Sequence, residues 1–132
     1  MHLRGIRGAN TVETNNEGAI LEATRSLLSE IVRANDVEPD DVAAVFFTTT
    51  PDLTAAFPAE AARQLGWQAV ALMSGVEVDV PGALPQCIRV LLLWNTPRAQ
   101  EEIVHVYLNR AQQLRPDRKE PSRTAPSPRG AA

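Results

Sequence analysis

The chain has 132 residues, of which 44% are hydrophobic and 22% charged, the composition of one ordinary folded domain and not of a disordered or fibrous chain. Thirteen Lys+Arg against sixteen Asp+Glu leave a formal net charge of -3, which argues against a general binder of nucleic acid or anionic membrane. No apolar run approaches the ~20 residues of a membrane-spanning helix, and the start, Met1 to Gly5, lacks the apolar stretch of a signal peptide, so a cytoplasmic location is expected.

Leu3, Ile6 and Val12, set among small and polar residues, predict a weak first strand over residues 2 to 13, broken where Gly5 and Gly8 allow bends or close backbone approach. Arg4 and Arg7, three apart, fall on opposite faces if this stretch is extended. A much clearer helix follows. Asn16 supplies a cap and Glu17 a first-turn acid, then Ile20, Thr24, Leu27, Leu28, Ile31 and Val32 recur at three and four until Arg33, Asn35 and Pro39 end it.

Asp41 to Thr48 is a continuous β-rich apolar run, the pattern of a central strand buried on both faces. Pro58, after Phe57, opens a short helix with Gly66 just past its end. A second buried strand is expected over Ala69 to Met73. Gly75, Pro81, Gly82 and Pro85 mark a loop before a third apolar run, Cys87 to Trp94, and a short helical stretch near Gln100 to Val104 precedes a strand near His105 to Leu108. From Pro116 onward the sequence carries four of the ten prolines and no large apolar residue, which reads as a flexible tail over 116–132 after a domain of residues 1–115. The tail's four positive and two negative charges leave residues 1–115 at -5.

Strands first, middle and last, with one long and one short helix, give an α+β architecture: a mixed sheet covered by helices on one side. No helix is left for the other sheet face, so subunits are expected to pack there as a homo-oligomer.

One cysteine, Cys87, excludes an intrachain disulfide, and with only His2 and His105 beside it no cluster has structural-zinc spacing. Arg89 is the most informative residue, because it interrupts seven apolar side chains that otherwise look buried, where charges rarely sit unpaired. Two readings stay open from the residues alone: an edge-strand arginine snorkelling to solvent, or a guanidinium held in a dry pocket for an anion. Glu77 lies in the loop before that strand with Ser74 three residues upstream, and Tyr107 and Arg115 follow the last strand. Together these list cations, a carboxylate and hydroxyls without a credible nucleophile or general base, a set suited to binding a polar acid and stabilising charge.

At these residues the sequence resembles a known family. Arg4-Gly5-Ile6-Arg7-Gly8-Ala9 with Thr11-Val12-Glu13, Thr50-Pro51-Asp52-Leu53, Ala56-Phe57-Pro58-Ala59, Cys87-Ile88-Arg89-Val90, His105-Val106-Tyr107-Leu108 and Leu114-Arg115-Pro116 look like the monofunctional chorismate mutases of the AroH class, over residues 3 to 117. The resemblance implies a barrel-like homotrimer with active sites between subunits, and conversion of chorismate to prephenate by an intramolecular Claisen-type rearrangement, without cofactor or covalent intermediate. It places Arg89 against the developing negative charge, Arg7 and Tyr107 on a carboxylate, and Glu77 on the ring hydroxyl. Arg115 would close the site and Arg63 would stand near its rim. Met73, Ser74, Gly75 and Val76 would complete the polar end, with Phe57, Ala59 and Leu114 as apolar wall. Two positions depart from the family pattern, Ser74 where cysteine is common and Glu60 where lysine is. Trimeric enamine/imine deaminases of similar architecture, and a non-catalytic sensor of an aromatic-pathway acid, are the alternatives.

Overall fold

Ten consecutive residues, His2–Thr11, form strand β1 without interruption in the computed structural model, which describes residues 1–114. Arg115 and the expected tail lie outside the described residues. Neither glycine breaks the strand. Gly8 instead permits close approach: a Cβ there would meet Ile31 Cδ1 at 2.9 Å, Leu27 Cδ1 at 3.0 Å and the Val106 carbonyl oxygen at 3.1 Å.

Helix α1, Glu17–Asn35, begins where Asn16 Oδ1 accepts the Ala19 N–H at 2.7 Å and ends at Asp36, which takes the left-handed conformation with φ 59°. Its three-and-four spacing turns Ile20, Leu27, Leu28 and Ile31 inward, all fully buried. At the same end Asn35 is buried yet satisfied: its Nδ2 donates to the carbonyls of Ile31 and Val104, at 3.0 and 2.9 Å, and its Oδ1 accepts the Val104 N–H at 2.8 Å. That ties the helix terminus to the segment entering the last strand.

The remaining elements are β2 (Val42–Thr49), α2 (Ala59–Gln64), β3 (Ala71–Val76), β4 (Cys87–Thr96) and β5 (Val106–Tyr107). They complete a five-stranded sheet of order β3-β2-β4-β1-β5. Strand β4 runs antiparallel to both β1 and β2, whereas β3 is parallel to β2 and β5 parallel to β1, so the sheet is mixed and the fold α+β as the sequence predicts. Ile6, Val45, Phe47, Val90 and Leu92 pack with Leu27, Leu28 and Ile31 of α1 and with Ala59 and Ala62 of α2 in one core. Each large side chain buried there contributes about 1.5–3 kcal/mol. No helix among the described residues is long and apolar enough to cross a membrane.

Alternation leaves the other sheet face bare. Leu3, Phe46, Met73 and Leu91 are exposed on it, and Met73, Phe46, Leu91 and Arg7 stand opposite one another across four strands. The apolar runs read as strands buried on both faces; in the single chain β2 and β4 bury their helix-side residues, and on the other face only Cys87, at the start of β4, is buried. The strand expected at Ala69–Met73 is also corrected. It begins at Ala71, continues through Ser74 and Gly75 to Val76, and is almost wholly exposed, because as an edge strand it pairs only with β2 and only Leu72 reaches the core. The stretch near Gln100 is a single 3-10 turn, Gln100–Glu102, and the last strand narrows to two residues. A further 3-10 helix, Asn109–Leu114, follows it.

Gly8→Ala is expected to destabilise the protein by about 1–3 kcal/mol, since α1 must shift to admit the methyl group against a backbone oxygen. A lowered urea midpoint with unchanged slope checks this; an unmoved midpoint means that α1 does not lie so close.

Candidate active site

Cross-strand register builds the site. Gly75 of β3, Thr48 of β2, Arg89 of β4, Ala9 of β1 and Tyr107 of β5 form one row across all five strands. Side chains in such a row project to the same face, here the one without helices. Arg89 therefore stands at the middle of the bare face, and its position in a central strand removes the edge-strand reading.

The Arg89 side chain is 43% exposed, yet its Nε is buried without a hydrogen-bond partner. Its nearest counter-charge is Glu77 Oε2, at 3.9 Å, on a side chain 30% exposed. Glu77 is anchored twice: its N–H donates to the Thr49 carbonyl at 2.9 Å, extending the β2–β3 ladder by one step, and its Oε2 accepts the Thr48 hydroxyl proton at 2.6 Å. A charge-assisted contact closes to about 2.7–2.9 Å when free to do so. This pair is held apart. A buried donor left open costs about 1–3 kcal/mol, a cost that a group bound against Arg89 would relieve.

Two strand positions before Arg89, Cys87 is fully buried. Burial pushes its thiol up from the ordinary 9.0, while the neighbouring Arg89 guanidinium pulls the other way and offsets part of the effect. Around Cys87 gather Ala9, Tyr107, Leu84, Ala111 and Leu114. The 3-10 helix that brings Leu114 there is fastened by Asn109 Nδ2 donating to Asn10 Oδ1 at 2.8 Å and by the Leu108 N–H donating to the Ala9 carbonyl at 3.0 Å. Arg7 is exposed two residues before Ala9, and its N–H donates to His105 Nδ1 at 2.9 Å. Within one chain, then, Arg89, Glu77, Arg7, Tyr107, Leu114, Met73 and Gly75 share the bare face or its border.

Other expected residues lie elsewhere. Phe57, 74% exposed, precedes α2, and Ala59, 4% exposed, belongs to the core beneath that helix. Arg63, also on α2, is held by Glu60 at 3.0 Å, both about half exposed. The sheet stands between these three and Arg89. Ser74 is opposite Phe47 in the ladder and so points to the helix side, and Val76 is exposed at the strand's end. Thr48 and Cys87 were missed as parts of the site: Thr48 closes one apolar run and Cys87 opens another, both as small side chains, and only the register shows what each faces. No group of three or more His, Cys, Asp or Glu among the described residues could hold a metal ion.

A mixed sheet with its two α-helices on one face, and on the other a central arginine kept from its own carboxylate, defines an α+β protein with a cationic site on the face its α-helices leave uncovered. The chain belongs to the chorismate mutase type I family, whose sequence pattern it matches over residues 3–118. It is 56% identical to chorismate mutase AroH of Thermus thermophilus over 116 residues, 87% of this chain and 95% of that protein. With chorismate mutase AroH of Bacillus subtilis strain 168 it shares 48% identity over 118 residues, 89% and 93% of the two chains. Its fold matches the chorismate mutase of Clostridium thermocellum with a TM-score of 0.83 and 49% identity, covering 83% of this chain and 98% of that one. These likenesses lend no support to the deaminase-like or sensor alternatives.

The raised Cys87 thiol makes a prediction with a definite sign. Above pH 9 the unfolded chain releases a thiol proton that the native chain retains, so this group's contribution to stability falls as pH rises through that region. Cys87→Ala is expected to flatten the alkaline limb of stability against pH. Native protein is also expected to resist iodoacetamide at pH 8 while urea-unfolded protein reacts readily; equal rates contradict the burial.

Proposed function

We propose that the protein converts chorismate to prephenate at clefts where the bare face of one copy meets the helix side of another. The carrying observation is Arg89, whose Nε is buried and unpartnered 3.9 Å from Glu77. In this rearrangement one C–O bond breaks and one C–C bond forms within a single molecule. No atom, proton or electron pair is exchanged with the protein, so no cofactor is required. What the protein must supply is conformer selection and a fixed cation where charge develops.

Bond breaking runs ahead of bond making, and negative charge builds on the ether oxygen. Arg89 meets that oxygen with a donor already desolvated and already open, so no existing bond is broken as the transition state forms. Glu77 accepts the ring hydroxyl through the carboxylate oxygen that Thr48 leaves free. Arg7 and Tyr107 take a substrate carboxylate, and Leu114 walls the border.

A second copy supplies what the sheet keeps away within one chain: Phe57 as exposed apolar wall, the backbone at Ala59, and Ser74 and Val76, which alternate to the helix side of the edge strand. A homotrimer buries Leu3, Phe46 and Leu91 and so explains why the apolar runs continue on a face that no helix covers. Arg63 contributes less than its charge suggests, because Glu60 pairs with it and a half-exposed pair presents little net field.

Purified protein is expected to consume chorismate and form prephenate without additives, followed by loss of chorismate absorbance; no turnover at micromolar enzyme refutes the reading. Arg89→Ala is expected to lower kcat by at least ~100-fold and to leave assembly intact, and an unchanged kcat assigns the charge stabilisation to another group. Sedimentation equilibrium is expected to give three times the 14.4 kDa chain mass. A stable monomer at micromolar concentration excludes the intersubunit site.

A further inference from the structure

We infer that Thr48 is a positioning residue: its hydroxyl tethers the Glu77 carboxylate short of Arg89 and thereby keeps the guanidinium donor open for substrate. This rests on the chorismate mutase reading of the same site.

Three observations converge on one oxygen. Glu77 Oε2 accepts the Thr48 hydroxyl proton at 2.6 Å, and the same Oε2 is the carboxylate oxygen facing Arg89 Nε, at 3.9 Å. That Nε is the single buried side-chain polar atom without a partner among the described residues. Thr48 and Arg89 are directly opposed in the β2–β4 ladder, so both side chains rise side by side on the bare face and bracket the carboxylate.

Without a restraint, a carboxylate this near a guanidinium closes into a forked pair. Such a pair occupies the donor that the ether oxygen needs, and substrate would have to displace a charged group to reach it. The hydroxyl of Thr48 has one proton, and it is committed to Oε2. The tether therefore does two things. It holds the negative charge at a distance where it orients Arg89 without quenching it, and it leaves Oε1 free to accept from a substrate hydroxyl. The backbone bond from the Glu77 N–H to the Thr49 carbonyl fixes the root of the same side chain, so only the carboxylate end depends on Thr48.

The test is Thr48→Val, which keeps the branched shape and removes the proton, alongside Thr48→Ser, which restores it. Thr48→Val is expected to lower kcat/KM about tenfold or more, the effect of losing one hydrogen bond to a charged group, with the loss carried mainly in kcat. Thr48→Ser is expected to stay within about threefold of wild type. In Glu77→Gln protein, where no charge remains to collapse onto Arg89, adding Thr48→Val is expected to have little further effect. Arginine-selective NMR supplies a readout independent of turnover: the Arg89 Nε–H resonance is expected to move downfield and exchange more slowly in Thr48→Val as the forked pair forms.

Wild-type kcat/KM and an unmoved Arg89 resonance in Thr48→Val overturn the inference, as does an equal loss in the Glu77→Gln background, which shows that Thr48 does not act through Glu77. If Thr48→Val fails to assemble, Thr48→Ala is read by the same two criteria. Absence of turnover in wild type defeats the parent reading instead, and the NMR comparison still decides the tether.

Discussion

Everything at the site depends on the register of β4 against its two neighbours. That register is pinned at the strand's first residue, where the Thr50 N–H donates to the Cys87 carbonyl at 3.0 Å and the Cys87 N–H donates back to the Thr50 hydroxyl oxygen at 3.0 Å. Asp52 accepts the Thr50 hydroxyl proton at 2.5 Å and the Gln86 N–H at 3.0 Å. The chain enters β4 through Gln86 at φ 53°, a left-handed residue that Asp52 holds in place. A slip by one residue would turn Arg89 into the core and Val90 outward. The cost of burying an unpaired guanidinium among Leu27, Ile31 and Phe47 makes that alternative inaccessible.

Polar side chains inside the fold serve a related purpose, fastening the segments that border the bare face. Asn10 reaches in two directions, its Nδ2 donating to the Ala23 carbonyl of α1 at 3.1 Å and its Oδ1 accepting from Asn109. Asn35 does the same between α1 and Val104. Both are buried, and a buried amide is stable only when its partners are in place. Together with the Leu108 N–H donated to the Ala9 carbonyl, these two asparagines set where Tyr107 and Leu114 stand.

How much of this the sequence discloses varies with the kind of interaction. Helix α1 is legible almost to the residue, because capping by Asn16 and the spacing of its leucines and isoleucines are local. The mixed sheet with helices on one side follows from the order and length of the apolar runs. Burial is less legible. A run such as Cys87 to Trp94 looks the same whether a helix or another copy of the chain covers its second face, and Ala71 to Val76 gives no local sign of standing at an edge. For the site, Arg89 declares itself as a charge in an apolar run, and Glu77 is drawn out by resemblance. Thr48 stays hidden, since its meaning lies in a partner 29 residues away and in a ladder that only the fold creates.

The same bare face that leaves the apolar side chains exposed also leaves Arg89 partly in water. A half-exposed guanidinium acts through a medium of high effective dielectric, where a charge a few ångströms away is worth about 1 kcal/mol; the same geometry at an effective dielectric near 20 is worth about four times as much. On the intersubunit reading, covering Phe46, Leu91 and Met73 both stabilises the assembly and dries the ground around the cation. Assembly and catalysis are then one event, and the apolar residues flanking Arg89 act on the chemistry without touching substrate. It follows that the carboxylate of Glu77 is most dangerous to the site in the assembled state, where attraction to Arg89 is strongest. A tether of its own, supplied by the strand next to Arg89, is the arrangement that this electrostatic conflict requires.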